Sequence, residues 1–266
     1  MNFADRNNEF ILRQGNDKPL KDLSNEWIIK TANYEYGYHF KWLDRPIIQL
    51  PQDILAMQEL IWEIKPDLII ETGIAHGGSL IMSASMLALL DYCDAVKAGE
   101  IIDPKNIHRR VLGIDIDIRE HNKTAIESHP MAHRIDMIQG SSIAYEIIAQ
   151  VKEVAAHHSR ILVCLDSNHT HQHVLMELEA YAPLVSKGSY CVVFDTIVED
   201  TMTGKAPDRP WGKGNNPKTA VWEYLNCLKA EGQIAADGDA LNFAIDKSIE
   251  NKILITVAPD GYLKRI

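Results

Sequence analysis

The spacing of apolar positions changes near Asp67. Upstream, the stretch from Asp53 to Ile64 repeats its apolar residues at helical spacing and predicts an amphipathic helix. Downstream, short apolar runs rich in β-branched residues alternate with longer helical stretches. The run from Asp67 through Leu68, Ile69, Ile70, Glu71 and Thr72 to Gly73 predicts a first strand, followed by a helix beginning near Ser79. Further strands are expected at Val111 to Asp115, Arg134 to Ile138, Ile161 to Leu165, Tyr190 to Phe194 and Lys252 to Val257. Helices fill most of the gaps, one of them starting near Lys218. Such alternation implies an α/β, Rossmann-like protein with a mostly parallel, doubly wound sheet covered by helices on both faces. Ala95 to Arg110 interrupts the pattern with Gly99, Pro104 and scattered charge, and reads as a surface excursion.

Residues 1–66 precede this pattern and carry Trp27, Tyr34, Tyr36, Tyr38, Phe40 and Trp42. They form an N-terminal helical and aromatic extension, and residues 67–266 form the domain itself. An aromatic cluster of this kind packs on a core, or serves as a substrate-side cover or an oligomer contact, so a homo-oligomer is compatible with it. The 266 residues, 46% hydrophobic, suffice for one sizeable core. A net charge of −10 disfavours nucleic acid as a general partner. Cys93, Cys164, Cys191 and Cys227 show no metal-ligand spacing, and Met1 to Gln14 is polar and mixed in charge. A cytoplasmic protein with neither signal peptide nor membrane span is expected.

The candidate chemistry gathers where strands end. Glu71, Thr72, Gly73, Ile74, Ala75, His76, Gly77, Gly78 and Ser79 occupy a strand-to-helix turn in which glycine lets backbone approach a ligand closely. After Gly73 the next glycines come at 77 and 78, so the dinucleotide spacing is not met. An acidic strand end suits the cationic sulfonium and amino group of S-adenosylmethionine better than a pyrophosphate. His76, Gly77 and Ser79 join Glu71 and Gly73 as cofactor contacts. Asp115 ends the next strand, where a carboxylate can accept hydrogen bonds from both ribose hydroxyls. Asp117 either helps or caps the following helix. Ser141, in the turn Gln139 to Ser142, is placed at the adenine, although these serines equally suit a loop and a helix cap.

Asp166 and Asp195 directly follow the fourth and fifth strands, which sets both carboxylates at one edge of the sheet. Two such groups can hold Mg²⁺, which favours a few carboxylates plus water and substrate oxygen. Asp166 is assigned to both cofactor and metal, and Glu199 and Asp200 are near enough in sequence to add a ligand or to be solvated loop charges. His169, three residues past Asp166, is the candidate catalytic base. His171 and His173 decorate the start of a helix. The Pro- and Gly-rich stretch Thr201 to Pro217 reads as a lid over the acceptor, with Arg209 and Trp211 facing it, or as a packed loop.

Three motifs together resemble the cephalosporin hydroxylase/rhamnosyl O-methyltransferase family. They are Pro66 to Gly73 with His76, Gly77, Gly78 and Ser79; Leu165, Asp166, Ser167, Asn168 and His169; and Arg209, Pro210, Trp211, Gly212, Gly214, Asn215, Asn216 and Pro217. The resemblance runs from about Trp42 to the C-terminus. It implies a class I methyltransferase fold, S-adenosylmethionine, a divalent metal and a small-molecule, sugar-like acceptor. Glu71, Gly73 and Asp115 match cofactor contacts, Asp166 and Asp195 match metal ligands, and His169 matches the proposed base of macrolide-sugar methyltransferases. Phe194 departs from the acidic pair that ends the fifth strand in some metal-dependent relatives. A nicotinamide-dependent oxidoreductase and a non-catalytic binding protein that keeps the fold are the competing classes.

Overall fold

The structure, a computed structural model, describes residues 2–104, 107–201 and 208–266. The extension opens with helices α1 (Phe3–Gly15) and α2 (Lys18–Ala32), capped by the side chains of Asn2 and Asp17. Strands β1 (Phe40–Trp42) and β2 (Arg45–Ile47) then make an antiparallel hairpin. Its two connecting residues, Leu43 and Asp44, both have positive φ (45° and 69°), the conformation whose twist matches paired strands. This hairpin was not anticipated, because its turn carries none of the Asn-Gly or Asp-Gly signals that mark such a loop. Helix α3 (Pro51–Ile64) follows, with Pro51 at its first position.

The domain then alternates β3 (Leu68–Thr72), α4 (Gly78–Ala98), β4 (Arg110–Asp115), α5 (Glu120–Glu127), β5 (Ile135–Gln139), α6 (Tyr145–Ala155), β6 (Ile161–Leu165), α7 (His171–Tyr181), β7 (Tyr190–Val193), the short α8 (Val198–Thr201) and α9 (Pro217–Glu231). It closes with β8 (Phe243–Ile245), α10 (Lys247–Ile253) and β9 (Tyr262–Arg265). The seven-stranded sheet has the order β5-β4-β3-β6-β7-β9-β8, parallel from β5 to β7, with β9 antiparallel to both β7 and β8. The order reverses direction between β3 and β6, the crevice where such sheets place ligands.

Alternation along each strand builds two cores. Leu68, Ile70, Val163 and Leu165 face α6, α7 and α9, whereas Ile69, Leu162 and Val192 face α3 and α4. Among the described residues only α4 is long and apolar enough to cross a bilayer. Its Leu80, Ile81, Ala84 and Leu87 are fully buried in the second core.

The expected strand from Lys252 to Val257 is corrected. Asp246 accepts the Ser248 N–H at 3.0 Å and caps α10, so the run begins inside a helix and leaves it at Leu254, whose φ is 59°. The true last strand ends in charge, which disguised it. Its Arg265 is 2% exposed and bonds Asp237 and the carbonyl of Val185.

Candidate active site

The turn between β3 and α4 is held from three sides. Asp115 Oδ2 accepts the backbone N–H groups of Ile74 (2.8 Å) and Ala75 (3.2 Å), while its Oδ1 accepts that of Asp117 (3.0 Å). Asn122 Nδ2 donates to the Ala75 carbonyl at 2.9 Å. From the hairpin, Arg45 Nε donates to the His76 carbonyl at 3.0 Å. Gly73, at φ 90°, tolerates no side chain, since a Cβ would stand 2.1 Å from the Asp166 carbonyl oxygen. That close approach seats the end of β6 against the turn. Gly77 admits the Ile126 side chain instead, and Gly78 admits the backbone of Pro46 and Ile47.

Glu71 lies under the turn, 5% exposed, and accepts the Ser79 hydroxyl. Burial pushes its carboxyl up to about 7, against the opposing pull of that hydrogen bond. A cationic ligand placed beside it would favour the ionised form. Asp117 does not cap α5, whose N-cap residue is Arg119. Nor do the serines after β5 cap α6, whose N-cap is Ala144. Ser141 offers its carbonyl to Ala144 N–H at 2.9 Å. Ser142 is buried and bonds His173 Nε2 at 3.0 Å.

At the ends of β6 and β7, Asp166, His169 and Asp195 bring one donor atom each within 4.8 Å of one another. His169 Nε2 is 3.2 Å from Asp195 Oδ2. Asp166 is held well above the ordinary carboxylate range, by burial first and then by the charges of Asp195, Glu71, Glu177 and Asp53. So much like charge in one place calls for a cation, and the Asp-His-Asp donor set fits a divalent metal. Glu199 and Asp200 are withdrawn from this set. Glu199 accepts the Gly214 N–H and the Asn216 amide, and Asp200 pairs with the buried Lys218. Phe194 is buried in the core at 3% exposure.

The other two histidines tie elements together. His171 bonds Thr219 (2.8 Å) and Glu223 (3.1 Å) on α9, and His173 bonds Ser142 and Ser167. Of the expected lid, residues 202–207 lie outside the described residues. Beyond them Trp211 stands edge-on to His169, with ring centres 4.8 Å apart, and the Arg209 guanidinium lies 5.2 Å over the indole. Asn215 pins this stretch by accepting the His171 N–H at 3.0 Å and donating to the Pro210 carbonyl at 2.9 Å.

A cavity of about 580 Å³ connects these parts. The turn contributes Gly73, His76, Gly78 and Ser79; the strand ends contribute Asp166, His169 and Asp195. The opposite wall is the extension, through Thr31, Tyr36, Tyr38, Gln49 and Leu50. Tyr36 is braced edge-on by Trp27 (5.0 Å) and Phe40 (5.1 Å). Asp115, Ser141, Arg209 and Trp211 do not line this cavity. Sequence reading missed Arg45, Asn122, Gln49 and Asp53. Gln49 alone left a signal, as the one polar residue in the run from Pro46 to Pro51.

The family model described as rhamnosyl O-methyltransferase/CmcI matches residues 34–266. The chain belongs to this family. It is 27% identical over 217 residues to the rhamnosyl O-methyltransferase of Mycobacterium tuberculosis, covering 80% of this chain and 73% of that protein. The Mycobacterium leprae rhamnosyl O-methyltransferase is 26% identical over 228 residues, covering 84% of this chain and 82% of that one. The solved structure of CmcI in its Mg-SAM form superposes with a TM-score of 0.54 at 16% identity, over 86% of this chain and 77% of the other. That last likeness is one of fold. Membership makes the chain an O-methyltransferase, and the matched region includes the hairpin, the turn and all three strand-end residues.

Proposed function

We infer that this chain is an S-adenosylmethionine-dependent O-methyltransferase that methylates a hydroxyl of a sugar-like small molecule with help from a divalent cation such as Mg²⁺. The observation that carries the reading is the convergence of Asp166, His169 and Asp195 on a cavity whose neighbouring wall is the glycine-rich turn. Glu71, Gly73, His76, Gly77 and Ser79 form or support the cofactor's bed. Asp115 fixes that bed through Ile74 and Ala75 and holds the Asp117 N–H, and the one acceptor site left on its Oδ1 takes a ribose hydroxyl. Ser141 borders the adenine.

Asp166 and Asp195 would hold the cation, which when bound supplies Lewis acidity that lowers the pKa of an acceptor hydroxyl. His169 Nε2 takes the proton as the hydroxyl oxygen attacks the sulfonium methyl. The new C–O bond forms as the methyl–sulfur bond breaks, leaving S-adenosylhomocysteine and a protonated imidazole. Positioning dominates the rate, since the methyl is already activated. Trp211 holds the imidazole ring on one side, and Arg209 and Trp211 present a guanidinium and an indole suited to a sugar. The rhamnosyl acceptors named for the mycobacterial relatives support a deoxysugar-bearing substrate here.

Calorimetry with S-adenosylhomocysteine and NAD, with and without Mg²⁺, combined with transfer of labelled methyl to a panel of rhamnosides, tests the reading. S-adenosylhomocysteine binding and labelled rhamnoside are expected. Binding of NAD alone would overturn it.

A further inference from the structure

Gln49 presents a buried oxygen with nothing to bond. The residue is 6% exposed, lines the cavity beside the glycine-rich turn, and its Oε1 has no hydrogen-bond partner among the described residues. Buried side-chain carbonyls are almost always paired, so an orphan on a residue that lines a cavity marks the place of a ligand donor. Taking the cofactor assignment above as its basis, we propose that Gln49 receives the α-amino group of S-adenosylmethionine, making the N-terminal extension part of the cofactor site.

The location follows from packing. A Cβ on Gly78 would stand 2.2 Å from the Pro46 carbonyl oxygen and 2.6 Å from Ile47 Cα, so the exit of β2 crosses directly over the start of α4. Gln49 sits two residues further on, sharing the cavity with Gly73, Gly78 and Ser79. Asp115 and Ser141, the ribose and adenine residues, are absent from this lining, whereas Asp166, His169 and Asp195 belong to it. The cavity therefore takes the part of the cofactor beyond the nucleoside: the sulfonium and the amino acid. The N-terminus of α4, a helix of 21 residues, favours the carboxylate of that amino acid through its free N–H groups. An ammonium one carbon away needs acceptors, and Gln49 Oε1 is an unused one. Thr31, Tyr36 and Tyr38, further along the same wall, are left to the acceptor.

Two ligands separate this role from a general packing role. S-adenosylhomocysteine carries the amino acid; methylthioadenosine has the same nucleoside and thioether without it. Both are titrated calorimetrically into the wild type, Gln49→Met and Gln49→Glu, with melting curves to verify that each variant folds. Gln49→Met is expected to weaken S-adenosylhomocysteine by about tenfold or more, the range for losing a hydrogen bond to a charged group, and to leave methylthioadenosine within about twofold. Gln49→Glu, which keeps an acceptor oxygen, is expected to retain S-adenosylhomocysteine binding. Equal losses for both ligands, or no loss for either, would overturn the assignment while leaving the methyltransferase reading intact. A wild type that binds neither ligand would overturn both.

Discussion

His169 places its Nε2 3.2 Å from Oδ2 of Asp195, with the Trp211 ring edge-on to the imidazole at 4.8 Å. One nitrogen cannot hold a metal and accept a proton together, so the site has a testable division of labour. With His169 as the base, His169→Ala lowers turnover by about 10²–10⁴-fold and leaves metal affinity and S-adenosylhomocysteine affinity near wild type. Single-turnover rates and metal calorimetry on that variant check it. A loss of metal affinity as large as that from removing a carboxylate would make His169 a ligand instead.

Removing either carboxylate acts on the metal rather than the cofactor. Asp166→Asn and Asp195→Asn are expected to raise the Mg²⁺ concentration needed for half-maximal rate, and to weaken Mn²⁺ binding followed by its paramagnetic resonance signal. S-adenosylhomocysteine affinity should change less than the metal dependence, and least in Asp195→Asn, since Glu71 and Asp115 belong to earlier βα units while Asp166 also borders the cofactor's bed. Full activity of both variants in chelator would remove the metal from the mechanism.

The turn proposed to carry the cofactor is clamped by Arg45 from outside the Rossmann-like sheet. Its guanidinium donates to the His76 carbonyl and, at 3.3 Å, to Asn122 Oδ1. Arg45→Ala should weaken S-adenosylhomocysteine by about 1.5–3 kcal/mol, the worth of hydrogen bonds to a charged group, although Arg45 does not line the cavity. Asp115→Ala should cost at least as much, because it removes the turn's second anchor together with the proposed ribose acceptor. Unchanged binding in Arg45→Ala would show that the turn keeps its shape without the hairpin.

Glu71 gives the ligand-free protein a pH signature. Burial raises its folded pKa from 4.5 to about 7, so between those values the folded state binds more protons than the unfolded chain. Its stabilising contribution is complete below about pH 4.5 and is lost as pH rises through 7. Asp53, raised by burial from 3.8 to about 6, acts in the same direction. Melting temperature should therefore fall from pH 5 to pH 8, less so in Glu71→Gln. S-adenosylmethionine should oppose the fall, because its positive charge favours the ionised carboxylate, and its affinity should rise with pH through about 7. A melting curve independent of pH in the wild type would contradict this account of Glu71.

The sequence by itself determined the frame. Alternation of β-branched runs with helices fixes a parallel sheet, and strands three to seven begin and end within a residue or so of the expected positions. A strand buried on both faces has no alternative use for residues such as Leu68, Ile69 and Ile70. The strand ends likewise locate Glu71, Asp115, Asp166 and Asp195, because in a parallel sheet every carboxyl end opens on the same edge.

Only the tertiary structure decided how those groups are used. Spacing along the chain is silent on hydrogen bonds made across it, such as Asp115 to Ile74, 41 residues apart, or Arg45 to His76, 31 apart. It could not say that Glu199 and Asp200 are committed to Asn216 and Lys218, nor that residues 28–50 wall the cavity opposite the strand ends. The same limit explains the misplaced strand at 252–257: an apolar run is legible as buried, but whether it continues a helix or a sheet depends on the cap at Asp246 and on the partner waiting beside β7. Burial is written into residue type; the choice of partner depends on distances that exist only once the chain has folded.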